Sequence, residues 1–268
     1  MDKREQDGAA AGVSEGYRRA SIFCGKRALV VGGSGGIGRA VAFDLASRGA
    51  SLLIHGKSGL KVDAAVRAIA EKGGQAQGIT CPITQPGAFL EELEHFGTFD
   101  VIVVAFGPFL RKPLAACGAA EWEEMALLNL ALPGALASRY FQAMSDRGFG
   151  RFLFFGGTRT DAIRGFTSNA AYAAAKTGLG VLAKSIAIEG APHNVAAVTV
   201  CPGLVHTEYI GPEEEASLVR MAPGGTLSNP ADVAATALDL IASDPCLSSG
   251  AIVSLDAGFS LQLRNPKV

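Results

Sequence analysis

From Lys26 onward, short apolar runs alternate with longer stretches in which apolar residues recur at helical spacing. The runs RALVVG, SLLIH, AQGIT, FDVIVVAF, RFLFF, VAAVTV and AIVSL are strand-length and nearly continuously apolar. That is the pattern of strands covered by helices on both faces. Helical patterns fall at about 36–48, 58–72, 86–95, 119–146, 168–190 and 230–243. Strand and helix in strict alternation imply βαβ units, and so one α/β domain doubly wound about a parallel sheet of about seven strands. No linker or internal repeat divides it. Residues 206–230 (HTEYIGPEEEASLVRMAPGGTLSNP) break the alternation with prolines, glycines and an acidic cluster, and read as a lid. Residues 1–24 mix charges with small residues, lack the apolar stretch of a signal peptide, and read as a flexible tail. The domain is expected over 25–262, with 263–268 as a C-terminal tail.

Composition narrows the class. The chain of 268 residues is 49% hydrophobic and 18% charged with 34 glycines, which suits tightly connected α/β units rather than disorder or a fibrous repeat. A net charge of −1 and the lack of a basic block argue against nucleic acid or an anionic membrane as partner. No apolar run reaches the roughly 18 residues a membrane span needs. The five cysteines, Cys24, Cys81, Cys117, Cys201 and Cys246, are odd in number and contain no CxxC. They indicate neither a disulfide framework nor a zinc site, no metal is expected, and a cytoplasmic setting fits best.

Two local constellations carry chemistry. In ALVVGGSGGIGRAV, glycines follow the first strand and open a helix. Gly32 and Gly36 permit a sharp turn and close backbone approach to a pyrophosphate, Gly38 permits close helix packing, and the helix N-terminus offers N–H groups and a partial positive charge. An ordinary tight turn is the plainer alternative. The second is Tyr172-Ala-Ala-Ala-Lys176, whose i, i+4 spacing puts phenol and ammonium on one helix face. A neighbouring positive charge favours the phenolate and is expected to lower the tyrosine pKa towards neutral, making an acid/base.

The GxxxGxG spacing of the turn, the Tyr172/Lys176 pair, Asn129 in EWEEMALLNLALPG, CPGLVHTE from Cys201 and SLDAGF near the C-terminus together resemble the short-chain dehydrogenase/reductase family over about 25–262. APGGTLSNPADVA is similar to the segment after the lid in 3-oxoacyl-carrier-protein reductase-like members. The resemblance implies a Rossmann fold and hydride exchange between a nicotinamide and a ketone or secondary alcohol. Tyr172 would protonate the carbonyl oxygen, Lys176 would also bind the ribose hydroxyls, and Asn129 would hold a water relaying protons to Lys176. Gly32, Ser34, Gly36, Ile37 and Gly38 of the turn, Gly107 after the fourth strand, Pro202, Gly203 and Thr207 would line the cofactor with Tyr172 and Lys176. At the end of the second strand, His55-Gly56-Lys57-Ser58 offers no carboxylate for the NAD ribose but a lysine and a hydroxyl for a 2′-phosphate. NADP(H) is therefore favoured over NAD(H), with Lys57 as a ligand. A solvated loop lysine is the alternative for Lys57.

Departures from the family pattern matter as much. Val31 stands where threonine is usual, Val104-Ala105-Phe106-Gly107 replaces Asn-Asn-Ala-Gly, and Pro82 stands where an aspartate would contact adenine. The catalytic serine is missing. Counted forward from RFLFF its position falls on Gly157, and counted back thirteen from Tyr172 it falls on Arg159, so the loop is expected to be longer than usual. Thr158 is the first candidate for the absent hydroxyl and Thr160 the second; in a third reading neither serves. The substrate is expected to be a small-molecule or carrier-linked carbonyl compound, of the 3-oxoacyl class or else a small polar or sugar-like ketone. A non-catalytic nucleotide sensor or structural protein is the alternative from another class. The helices at 119–146 and 168–190 are apolar enough to pair across a two-fold in a homodimer or homotetramer.

Overall fold

Each apolar run singled out in the sequence forms a strand in the computed structural model of the protein, which describes residues 21–261. The strands are β1 (Arg27–Val31), β2 (Ser51–Gly56), β3 (Gln75–Thr80), β4 (Val101–Val104), β5 (Gly150–Phe155), β6 (Val195–Pro202) and β7 (Ile252–Leu255). All pair in parallel, in the order β3-β2-β1-β4-β5-β6-β7. The sheet grows outward from β1 to β3, then restarts on the other side of β1 with β4. Chains leaving β1 and β4 therefore diverge, and a crevice opens beyond their C-terminal ends.

The helices are α1 (Gly36–Ser47), α2 (Gly59–Ala70), α3 (Pro86–Glu94), α4 (Ala119–Ala126), α5 (Leu132–Asp146), α6 (Ala170–Gly190), α7 (Pro212–Met221) and α8 (Pro230–Leu240). Alternate strand residues feed two cores. Ala28, Val30, Val103, Leu153 and Val198 pack with Val41 and Leu45 of α1 and Val233 and Leu238 of α8. Leu29, Val31, Ile102, Phe152 and Phe154 pack with Leu132 and Leu136 of α5 and Leu179 and Ile186 of α6. Both faces of the central strands are dry, which is why their sequences lack polar alternation.

The sequence differs from the structure in three places. The single helix expected over 119–146 is broken by a π turn at Leu127–Ala131, in which the Leu132 N–H reaches back to the Leu127 carbonyl. Pro133 supplies the reason: it has no N–H to give the carbonyl of Asn129, four residues earlier, so a regular α-helix cannot run through. The expected lid contains α7 and is closed at its neck, where the His206 N–H donates to the Ser228 carbonyl and the Ser228 N–H to that of Leu204, both at 2.9 Å. Of the expected N-terminal tail, residues 1–20 lie outside the described residues, as do 262–268, but Phe23 is fully buried in the first core. No helix among the described residues is long and apolar enough to cross a membrane.

The charged side chain of Arg151 is wholly enclosed. Arg151, in β5, donates to the carbonyls of Gly150 (2.9 Å), Asn194 (2.8 Å), Ser243 (3.0 Å) and Ile241 (3.3 Å) and to Asn194 Oδ1 (3.2 Å). It thereby satisfies carbonyls where the ends of β5, α6 and α8 converge. Arg151→Met strips these acceptors of their donor, and urea denaturation should show a loss of about 3 kcal/mol. Exposed Arg67→Met should stay within about 0.5 kcal/mol of the parent; equal effects of the two would show that the buried network carries no stability.

Candidate active site

α6 carries Tyr172 and Lys176 one turn apart beside the C-terminal ends of β4 and β5. The Lys176 ammonium is buried and donates to the carbonyl of Phe155 at 2.9 Å and to that of Phe106 at 3.3 Å. Burial pushes its pKa down to about 8, so it keeps its proton at neutral pH. Tyr172 moves the other way: burial, and after it the neighbouring Cys201, pushes the phenol up to about 12. This corrects the sequence-based expectation of a lowered phenol. Lys176 Nζ lies 5.9 Å from the Tyr172 ring centre and gives its hydrogen bonds to carbonyls, so burial outweighs its charge. Tyr172 is therefore a neutral phenol at pH 7.

Asn129 sits on the π turn, fully buried, with Nδ2 donating to the Pro108 carbonyl at 3.1 Å and Oδ1 without a partner. A Cβ on Gly107, which has φ +147°, would collide with Asn129 Oδ1 and lie 3.2 Å from Lys176 Nζ. The amide oxygen and the ammonium thus border one small space, kept open because residue 107 has no side chain. Three residues that the sequence separates by up to 69 positions, Gly107, Asn129 and Lys176, meet there.

Gly157 is the residue that faces the tyrosine hydroxyl. A Cβ on it would stand 3.1 Å from Tyr172 Oη and 2.8 Å from Cε1. The forward count from β5 thus lands on the residue that faces Tyr172, and the residues that follow are wound into a turn over 157–160. The Thr160 N–H donates to the Gly157 carbonyl at 3.1 Å, and Arg159 takes a left-handed φ of +66°. Thr160 is buried within this turn, donating from Oγ1 to the Gly157 carbonyl and accepting from its N–H, both at 2.8 Å. Thr158, first choice for the missing hydroxyl, instead donates to the Gly203 carbonyl at 3.3 Å and ties this loop to the one after β6. Both threonine hydroxyls have backbone partners, and the residue facing Tyr172 is a glycine.

At the phosphate turn, Gly32 has φ +81°, and a Cβ there would stand 2.6 Å from the Ala105 carbonyl oxygen. Only glycine permits both the conformation and that approach. Gly38 lies against the Gly32 carbonyl, Ser34 against Gly56 at the end of β2, and Ile37 against the first core. The Thr207 methyl approaches Gly36, which opens α1. Pro202 ends β6 and Gly203 follows it, beside Asp256. Lys57 is exposed at the rim, past β2. The Gly36 N–H donates to both carboxylate oxygens of Glu208, at 3.2 and 3.1 Å, so the turn accepts an anion as a phosphate site should.

Sequence reasoning missed several residues here. His55 is buried, accepts from the Gly32 N–H at Nδ1 (3.4 Å) and bonds through Nε2 to the Cys81 carbonyl (2.9 Å). Burial lowers its pKa despite the Cys81 bond, so the ring is neutral, with its proton on Nε2. It spans β1, β2 and β3 and packs edge-on to Phe89 and Phe106. It braces the region where the Asn-Asn-Ala-Gly motif is lacking. Its place on the terminal inward position of an apolar strand was the available signal. Lys61, four residues after Lys57, lies 3.7 Å from Glu208 and 4.8 Å above the Tyr209 ring. On the substrate side, Phe109 packs edge-on against Tyr172 at 5.0 Å and is 62% exposed, giving an apolar wall.

The short chain dehydrogenase family model matches residues 26–217. The chain is 29% identical over 245 residues to the 3-oxoacyl-[acyl-carrier-protein] reductase FabG of Escherichia coli, covering 88% of this chain and 98% of that one. It is 30% identical over 247 residues to the reductase MabA of Mycobacterium bovis, covering 89% and 94%. Among solved structures, the 3-oxoacyl (acyl-carrier-protein) reductase of Agrobacterium tumefaciens C58 with NADP bound superposes with a TM-score of 0.82 at 28% identity, covering 91% of this chain and 99% of that one. A protein assigned as a gluconate dehydrogenase from Agrobacterium tumefaciens gives 0.81 at 28%, covering 91% and 100%. With the doubly wound sheet, the anion-accepting turn and the Tyr172/Lys176 helix, these matches place the chain in the short-chain dehydrogenase family, as an NAD(P)-dependent oxidoreductase.

Proposed function

We propose that the protein is an NADP(H)-dependent carbonyl reductase that interconverts a ketone and a secondary alcohol, with Tyr172 as acid/base. One observation carries this reading. A buried, charged Lys176 is held on two strand-end carbonyls beside a neutral Tyr172, and shares a space with the unpartnered Asn129 Oδ1. A protein that only bound nucleotide would have no chemical use for this arrangement. The dinucleotide would lie across the crevice from Gly32, Ser34, Gly36, Ile37, Gly38 and Thr207 at one end to Gly107, Tyr172, Lys176, Pro202 and Gly203 at the other. When bound, it supplies the hydride. Tyr172 gives its phenolic proton to the developing alkoxide, Lys176 holds the ribose hydroxyls and returns a proton, and Asn129 positions the water that recharges Lys176. In the oxidative direction the proton moves back to Tyr172.

Lys57, with no carboxylate nearby in His55-Gly56-Lys57-Ser58, favours the 2′-phosphate of NADP(H), and NADP in the Agrobacterium reductase structure supports the choice. For the substrate, the carrier-linked 3-oxoacyl class is supported by the FabG and MabA relatives and by the apolar wall at Phe109. A small polar or sugar-like ketone is the second reading, supported by the structural likeness to the gluconate dehydrogenase. The exposed Val181 and Ile188 on α6 support assembly as a homodimer or homotetramer, and the unpaired cysteines a cytoplasmic setting.

With glycine facing Tyr172, the substrate oxygen loses one hydroxyl donor. Such donors contribute about 100- to 1,000-fold in turnover, so a slow reductase is expected. Oxidation of NADPH followed by absorbance across a panel of β-ketoesters and polar ketones tests the assignment. Tyr172→Phe should lose at least about 100-fold in kcat while retaining NADPH affinity; equal turnover would remove Tyr172 from the chemistry, and tight NADPH binding without turnover on any ketone would favour a sensor. The same assay separates the roles at the loop. Thr158→Ala should change kcat by less than about threefold, because its hydroxyl is engaged by Gly203, whereas a loss near 100-fold would make Thr158 the serine surrogate after all.

A further inference from the structure

The lid begins on top of the phosphate turn. Both carboxylate oxygens of Glu208 take the Gly36 N–H, and Oε1 lies 3.7 Å from Lys61 Nζ. Tyr209 lies alongside: a Cβ on Gly35 would collide with its hydroxyl as well as with Glu208, and the Lys61 ammonium stands 4.8 Å above its ring. Gly35 thus lets the pair seat. Burial opposes ionisation of Glu208, yet its own N–H, that of Gly36 and Lys61 together hold its carboxyl below the usual carboxylate range. It is an anion at neutral pH, stabilised by the same N–H groups and helix dipole that a phosphate would use.

We propose that Glu208 and Tyr209 are an internal plug of the dinucleotide site, displaced when nucleotide binds, and that Lys61 passes from Glu208 to a nucleotide phosphate. The inference rests on the reading of this crevice as an NADP(H) site. A carboxylate and a pyrophosphate are both anions and cannot share the Gly36 N–H, so one excludes the other. Displacement is confined by the paired neck at residues 204–206 and 228, next to Thr207. Expulsion of Glu208 therefore shifts Thr207 and the segment leading into α7, so that nucleotide entry and lid position are one equilibrium. The apparent affinity for nucleotide is reduced by the fraction of molecules in which the plug is seated.

Isothermal titration with NADPH, paired with hydrogen exchange, tests this. Glu208→Ala and Tyr209→Ala should each bind NADPH about tenfold more tightly than the parent, and Glu208→Gln several-fold more tightly. Glu213→Gln, which removes one negative charge from the exposed start of α7, should leave the affinity unchanged, and Lys61→Ala should weaken it. Without nucleotide, Glu208→Ala should speed exchange at residues 35–38; on the parent, NADPH should slow exchange there and speed it at 208–211. Equal NADPH affinity in the parent, Glu208→Ala and Tyr209→Ala overturns the plug and leaves the site assignment standing. Tightening by Glu213→Gln equal to that by Glu208→Ala reduces the effect to general charge and also overturns it. NADPH binding to none of these proteins removes the dinucleotide reading, and the plug with it.

Discussion

An ammonium group taken out of water costs several kcal/mol unless it is hydrogen-bonded where it is buried. Lys176 meets that cost with the carbonyls of Phe106 and Phe155, which lie just past β4 and at the end of β5. The two bonds fix α6 against neighbouring strand ends, and so set where Tyr172 stands. They also turn the ammonium towards Gly107, across which Asn129 presents its unpartnered oxygen. Strip these carbonyls away and the lysine has no reason to stay buried; the phenol loses its charged neighbour.

Around that interaction, residues without side-chain bulk or without an N–H shape the site as much as the polar ones do. Gly107 leaves the space between lysine and asparagine. Pro133 withholds an N–H from Asn129 and forces the π turn on which Asn129 is presented. Gly157 leaves the face of Tyr172 open, while Thr160 closes the turn behind it and Thr158 joins it to Gly203. The loop holds its shape by backbone bonding and presents no hydroxyl directly beside the phenol. The raised phenol and the lowered lysine have the same cause, burial, and together keep Tyr172 protonated and Lys176 charged at neutral pH.

Much of this was legible in the sequence because it rests on local rules. Seven strand-length apolar runs become seven strands, dry on both faces at the centre of the sheet and partly exposed at its edges β3 and β7. Tyr172 and Lys176 share a face because four residues make one helical turn. The phosphate turn announces itself by glycines between a strand and a helix. What escaped depends on contacts between distant residues. Nothing in RFLFF distinguishes an enclosed arginine from one at a strand end, yet Arg151 is wholly buried among carbonyls. Glu208 and Lys61 are 147 positions apart, so their meeting over Gly36 leaves no mark in either stretch of sequence. Thr158 lies nearest the strand end, but proximity along the chain does not determine which acceptor a hydroxyl finds. The break at Asn129 was readable in principle from Pro133, four residues on.

If the buried charge of Lys176 organises the site, its loss must be visible in catalysis. The most direct measurement is the pH dependence of kcat/KM for NADPH, which reports groups of the free enzyme. Tyr172, at about 12, stays protonated through the accessible range, while Lys176 gives up its proton near 8. The profile should be level from pH 6 to 7 and fall above about pH 8, approaching tenfold per pH unit. A profile that remains level to pH 10 would contradict a catalytic role for the charged lysine.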